Sequence, residues 1–98
     1  MSTTHLPALV QRFFTQRLLE QQGVSPYTVA SYRDTFRLLL GFVTNRTKRS
    51  PSKLTIEDLD FDVIEQFLRH LEHDRGNTTR TRNTRLSALH AFFQFVSI

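Results

Sequence analysis

The sequence predicts an all-α fold: one small bundle of four helices. Three observations carry that prediction. Apolar residues recur at three- and four-residue spacing in four separate stretches; Ser-Pro, Gly and charged segments divide those stretches; and no segment carries a strand signal. Ninety-eight residues, 39% of them hydrophobic, with nine phenylalanines and only three glycines and three prolines, suit one core and leave no room for a second domain.

Leu6, Leu9, Val10, Phe13, Phe14, Arg17 and Leu18 set the first stripe, with Pro7 fit for a first helical turn and Gly23 for a left-handed stop. The first helix is therefore predicted from about Pro7 to Gln22. Ser25-Pro26 repeats the start signal, a capping hydroxyl followed by proline at the first helical position. Val29, Tyr32, Phe36, Leu39, Leu40 and Val43 continue the second helix to about Asn45. Residues 46–53 contain no apolar side chain and one proline, and read as a basic loop. Thr55-Ile56-Glu57-Asp58 looks like a cap with an acidic single turn before a new start at Asp60. The third helix uses Phe61, Ile64, Phe67, Leu68 and Leu71 and stops near Gly76. Asn77-Thr78-Thr79 caps the fourth, whose apolar positions are Leu86, Leu89, Phe92, Phe93 and Val96.

Charge is sorted along the chain. The formal total of +4 divides into +1 over residues 1–24, +5 over 25–53, −5 over 54–75 and +3 over 76–98. Eleven of the thirteen basic residues are arginine, whose planar fork suits phosphate. The opening of the fourth helix contains Arg80, Arg82, Asn83, Thr84, Arg85 and Ser87 without one acid. At about 100° per residue, Arg80, Thr84, Ser87 and Ala91 share a face opposite Leu86, Leu89 and Phe93. The second helix opens similarly, with Ser25, Tyr27, Thr28 and Ser31 followed by Arg33 and Arg37. Hydroxyls and arginines at helix N-termini favour phosphate, so a nucleic acid is one candidate partner, and caps with solubilising charge are the equally weighted alternative.

Catalytic readings find little. His70 and His73 lie three apart but have no cysteine nearby, so no metal site is expected, and no cofactor. Glu57, Asp58, Asp60 and Asp62 read as helix-start residues rather than acid–base pairs. Tyr32 falls in an apolar stripe, and Tyr27 has no activating partner. No apolar run approaches a membrane span and no secretory leader is visible; with no cysteine, the expected setting is the cytoplasm.

Ser25-Pro26-Tyr27-Thr28 with Tyr32, Phe36 and Leu39 resembles the second helix of the N-terminal core-binding domain of phage-integrase-type tyrosine recombinases. The stretch from Thr81-Arg82-Asn83 through Arg85-Leu86-Ser87-Ala88-Leu89 to Phe92-Phe93 is similar to that domain's fourth helix, T-x-N-R-R-L-S-A-L-R-x-F-F. Leu54-Thr55 with Asp58 resembles its L-[ST]-x-[ED]-D segment. The matches run in order over nearly the whole chain, the fourth-helix string being the most specific.

The resemblance implies a four-helix SAM-like bundle over residues 1–98 that holds half of a recombination core site. Helices 2 and 4 would face the duplex, and helix 1 would contribute to contacts between protomers on DNA, the isolated domain being a monomer. It points to Ser25, Thr28, Ser31 and Arg33 on the second helix and to Arg80, Arg82, Asn83, Thr84 and Ser87 on the fourth; Lys48 and Arg49 of the basic loop complete the predicted DNA-binding set. His90 departs from the arginine usual at its position. In the family, strand cleavage by tyrosine belongs to a separate catalytic domain, which is expected to follow this segment and to pack with it; no catalytic residue is expected here, and the chain reads as a domain or fragment of a recombinase. Two other classes stand beside this one. A helical protein-interaction module would dock through helix 1 or an exposed Phe95 in the aromatic tail, and a helix-turn-helix regulator would need a compact turn after the second helix.

Overall fold

A computed structural model of the chain describes residues 5–18 and 24–97. Its elements are α1 (Leu6–Arg12), continued by a π-helical turn (Phe13–Leu18), then α2 (Pro26–Thr47), two single 3-10 turns (Pro51–Lys53 and Ile56–Asp58), α3 (Phe61–His73) and α4 (Thr79–Val96). This is the all-α four-helix bundle the sequence predicts. No named strand occurs among the described residues; a lone antiparallel bridge joins His5 to Thr55, beside a 2.7 Å bond from the Leu6 N–H to the Leu54 carbonyl.

The helix ends follow local chemistry. Ser25, Asp60 and Thr78 cap α2, α3 and α4, each side chain accepting the N–H three residues on. Asp58 closes the short acidic turn by accepting the Thr55 N–H at 2.8 Å. These carboxylates therefore have the helix-start roles their positions suggest. Past α3, Gly76 adopts φ 66°, the left-handed turn that lets the Asn77 N–H reach back to the Leu71 carbonyl. The end of α2 comes two residues later than the apolar stripe predicts, because Arg46 and Thr47 continue the helix until Lys48 turns left-handed at φ 62°.

The first helix departs most from expectation. Where an unbroken α-helix to Gln22 is predicted, the backbone widens into a π turn from Phe13, and residues 19–23, with the expected Gly23 stop, lie outside the described residues. With i→i+5 bonding, residues five apart stack, which lets Phe13 and Leu18 both enter the core. Phe13 becomes its hub, with ring centroids at 5.5–5.9 Å from Phe14, Phe36, Phe92 and Phe95. Arg17, which falls within the predicted apolar stripe, instead lays its guanidinium over Phe95. Phe36 and Phe92 meet at 5.1 Å and join α2 to α4. Such pairs contribute about 0.5–1.5 kcal/mol each beyond their burial.

One predicted core residue is outside. Phe61 begins α3 and is 78% exposed, because the first turn of that helix borders a groove that no further element covers among the described residues. Tyr32 packs on the core only in part.

Candidate nucleic-acid interface

The side-chain contacts fix the relative direction of α2 and α4. Ser31 meets Arg85 near the start of both helices, and Phe36 meets Phe92 further along both. The two helices run the same way, with their N-termini at one end of the molecule. Neither first turn contains an acid. Each start carries the positive end of a helix macrodipole, equivalent to roughly half an elementary charge.

The two starts are built alike. The Ser25 hydroxyl accepts the Thr28 N–H and donates to the Thr28 hydroxyl, both at 3.1 Å. The Thr78 hydroxyl accepts the Thr81 N–H and donates to the Thr81 hydroxyl, both at 3.2 Å. Between them lies a polar groove of about 300 Å³ lined by Tyr27, Ala30, Ser31, Asp34, Thr81, Thr84 and Arg85. Tyr27 stands at its rim, 83% exposed. Asp34 is the single carboxylate in this lining, and Arg37 pairs with it at 3.3 Å.

The predicted binding residues divide by position. Ser25, Thr28 and Ser31 lie along the first two turns of α2, and Arg33 is exposed beside them without an ion pair among the described residues. Arg80, Asn83, Thr84 and Ser87 are exposed on the first turns of α4, and Arg80 has no carboxylate partner among the described residues. Ala91, on the same helical face, is half-buried against the core, so the polar strip ends near Ser87.

Arg82 lies elsewhere. It faces α3, where its guanidinium pairs with Glu72 and lines an apolar groove with Leu59, Phe61 and Leu86. Lys48 and Arg49 stand past the far end of α2, about 33 Å from its start at 1.5 Å per residue. Lys48 is exposed, whereas Arg49 is held by Asp58 at 3.2 Å.

The reading by helical faces did not single out Arg85. It is half-buried and donates from Nη1 to the Ser31 carbonyl at 3.1 Å and to the buried Thr35 hydroxyl at 3.2 Å, fastening α2 to α4.

His70 stacks on Phe42 and bonds Asp74 at 2.9 Å. No group of three or more metal-ligating side chains occurs among the described residues, nor any helix long and apolar enough to cross a membrane. Phe95, whose exposure would favour a protein-docking tail, packs against Phe13 and Arg17. Where a helix-turn-helix would need a compact turn, α2 runs for 22 residues and is followed by the basic connection.

An all-α bundle with two acid-free helix starts at one end is the class of fold that the comparisons specify further. Residues 10–97 match the family described as phage integrase, N-terminal SAM-like domain, and the chain belongs to that family. It is 46% identical over 92 residues to "Putative integrase/recombinase y4rC" and 44% identical over 92 residues to "Putative integrase/recombinase y4rD", both from Sinorhizobium fredii (strain NBRC 101917 / NGR234). Each match covers 94% of this chain but only 28% and 33% of those relatives. No solved structure matches the chain.

Proposed function

We propose that this chain is the DNA-holding domain of a site-specific tyrosine recombinase, gripping double-stranded DNA with the end of the bundle where α2 and α4 both begin. The observation that carries this reading is the pairing of two acid-free, hydroxyl-capped helix starts at one end. Hydroxyls, backbone N–H groups and arginines without an ion pair among the described residues form a surface suited to phosphate oxygens. Arg33 and Arg80 supply charge; Ser25, Thr28, Ser31, Thr84 and Ser87 permit close approach of the backbone, and Asn83 is suited to hydrogen-bonding. Lys48, past the opposite end of α2, stands away from this gripping end and is not among the contacts proposed. Arg49 and Arg82 are drawn instead into holding the bundle, by Asp58 and Glu72.

In the whole protein, cleavage and rejoining of DNA strands fall to a catalytic domain outside these residues, with this domain clamping the core site opposite it. Fluorescence anisotropy with a labelled duplex, from about 50 to 200 mM salt, tests the proposal. Affinity falls steeply with salt if counterions are released from phosphates. A chain that fails to bind at the lowest salt, or binds without regard to salt, overturns it.

A further inference from the structure

We propose that Arg85 makes the groove between α2 and α4 a seat for one backbone phosphate of the bound DNA, so that the residue fastening the two helices is also a phosphate ligand. This rests on the function proposed above and adds to it a particular site. Three observations support it.

The first is an uncompensated charge. Arg85 is half-buried, yet its hydrogen bonds go only to neutral oxygens, the Ser31 carbonyl and the Thr35 hydroxyl. No carboxylate lies within ion-pair distance among the described residues, and Nε is shielded from solvent without an acceptor. Arg82, one turn away on the same helix, has Glu72. Withdrawing a cation from water without a counter-charge is costly, and a bound anion offsets that cost.

The second is the space above it. The groove of about 300 Å³ has Arg85 in its lining, and its carboxylate, Asp34, is engaged by Arg37. The third is the donor set. The Thr81 hydroxyl accepts from Thr78, which leaves its own hydrogen free to donate, and the exposed Tyr27 hydroxyl stands on the opposite wall. One guanidinium and two hydroxyls around a polar groove fit a phosphodiester.

The test compares unaltered protein with Arg85→Gln and Arg85→Lys. Glutamine can still donate to α2 but carries no charge; lysine keeps the charge. Arg85→Gln is expected to lower the slope of log K against log salt by about one unit and to weaken duplex binding about tenfold at 0.1 M salt, while Arg85→Lys keeps the slope. An Arg85→Gln protein with the original slope and a lowered melting temperature makes Arg85 a clamp only and overturns the inference. Should the glutamine variant fail to fold, the Arg85 Nη–H resonances of the unaltered ¹⁵N-labelled protein, recorded cold enough to slow guanidinium rotation, decide. They shift when duplex is added if a phosphate sits there; unmoved resonances under saturating duplex overturn the proposal. Duplex binding with an unchanged Arg85→Gln slope removes this site alone, whereas absence of any duplex binding removes the broader function as well.

Discussion

Helix α4 borders two grooves of unlike chemistry. Toward α2 the groove is polar, with threonine and tyrosine hydroxyls, Asp34 held by Arg37, and one arginine that has no carboxylate partner among the described residues. Toward α3 it is larger, about 420 Å³, and lined mainly by Leu59, Phe61, Ile64, Leu68, Leu89 and Phe93, with Arg82 neutralised by Glu72. The two arginines are three residues apart on one helix, and their roles diverge because the neighbouring helices differ. An acidic α3 consumes the charge of one; the opening of α2, which has no acid in its first turn, leaves the other available. On the proposed function, the phosphate surface of α4 lies on the side where the neighbour's one groove carboxylate, Asp34, is already engaged by Arg37.

The comparison breaks most severely if the shared core beneath both grooves is lost. Phe92 is fully buried between Phe13 and Phe36, so Phe92→Ala should cost about 3–5 kcal/mol and should collapse both sides together, seen as one cooperative loss in thermal melting. Next in size is the effect on DNA. Alanine at both Arg33 and Arg80 should weaken duplex binding on the order of a hundredfold at low salt and lower the salt slope by about two units, leaving the melting temperature nearly unchanged. Removing a cap is smaller: Thr78→Ala should destabilise the protein by about 1 kcal/mol, read as a fall of roughly 4–8 °C in melting temperature. Smallest is the α3 side. Glu72→Gln leaves a half-exposed Arg82 without its partner and should cost at most about 1 kcal/mol, with no change in the salt slope of duplex binding.

The contrast between grooves also marks where sequence reasoning reaches its limit. Caps at Ser25, Asp60 and Thr78 were legible because capping is local: a hydroxyl or carboxylate ahead of an apolar stripe needs only its own next turn. The stripes likewise located most of the core. Periodicity separates inward from outward on one helix but does not say which neighbour lies alongside. Hence Arg82 and Arg49 read as free cations until Glu72 and Asp58, each on the other side of a turn, are brought against them. Phe61 read as core for the same reason: its spacing is right, but among the described residues no element covers the first turn of α3. The π turn at Phe13 was hidden too, since it arises from packing two adjacent phenylalanines against α2 and α4, and local propensity does not encode it. The two acid-free helix starts were visible in the sequence, but their parallel placement at one end was not.

The most direct measurement of the central claim is the salt slope of duplex binding for two single variants, Arg80→Ala on the α2/α4 end and Arg69→Ala on α3. Both remove one exposed arginine and the same charge. Gripping through the α2/α4 end predicts that Arg80→Ala lowers the slope by about one unit while Arg69→Ala leaves it at the original value. Equal slopes for the two variants, or a larger fall for Arg69→Ala, would contradict it.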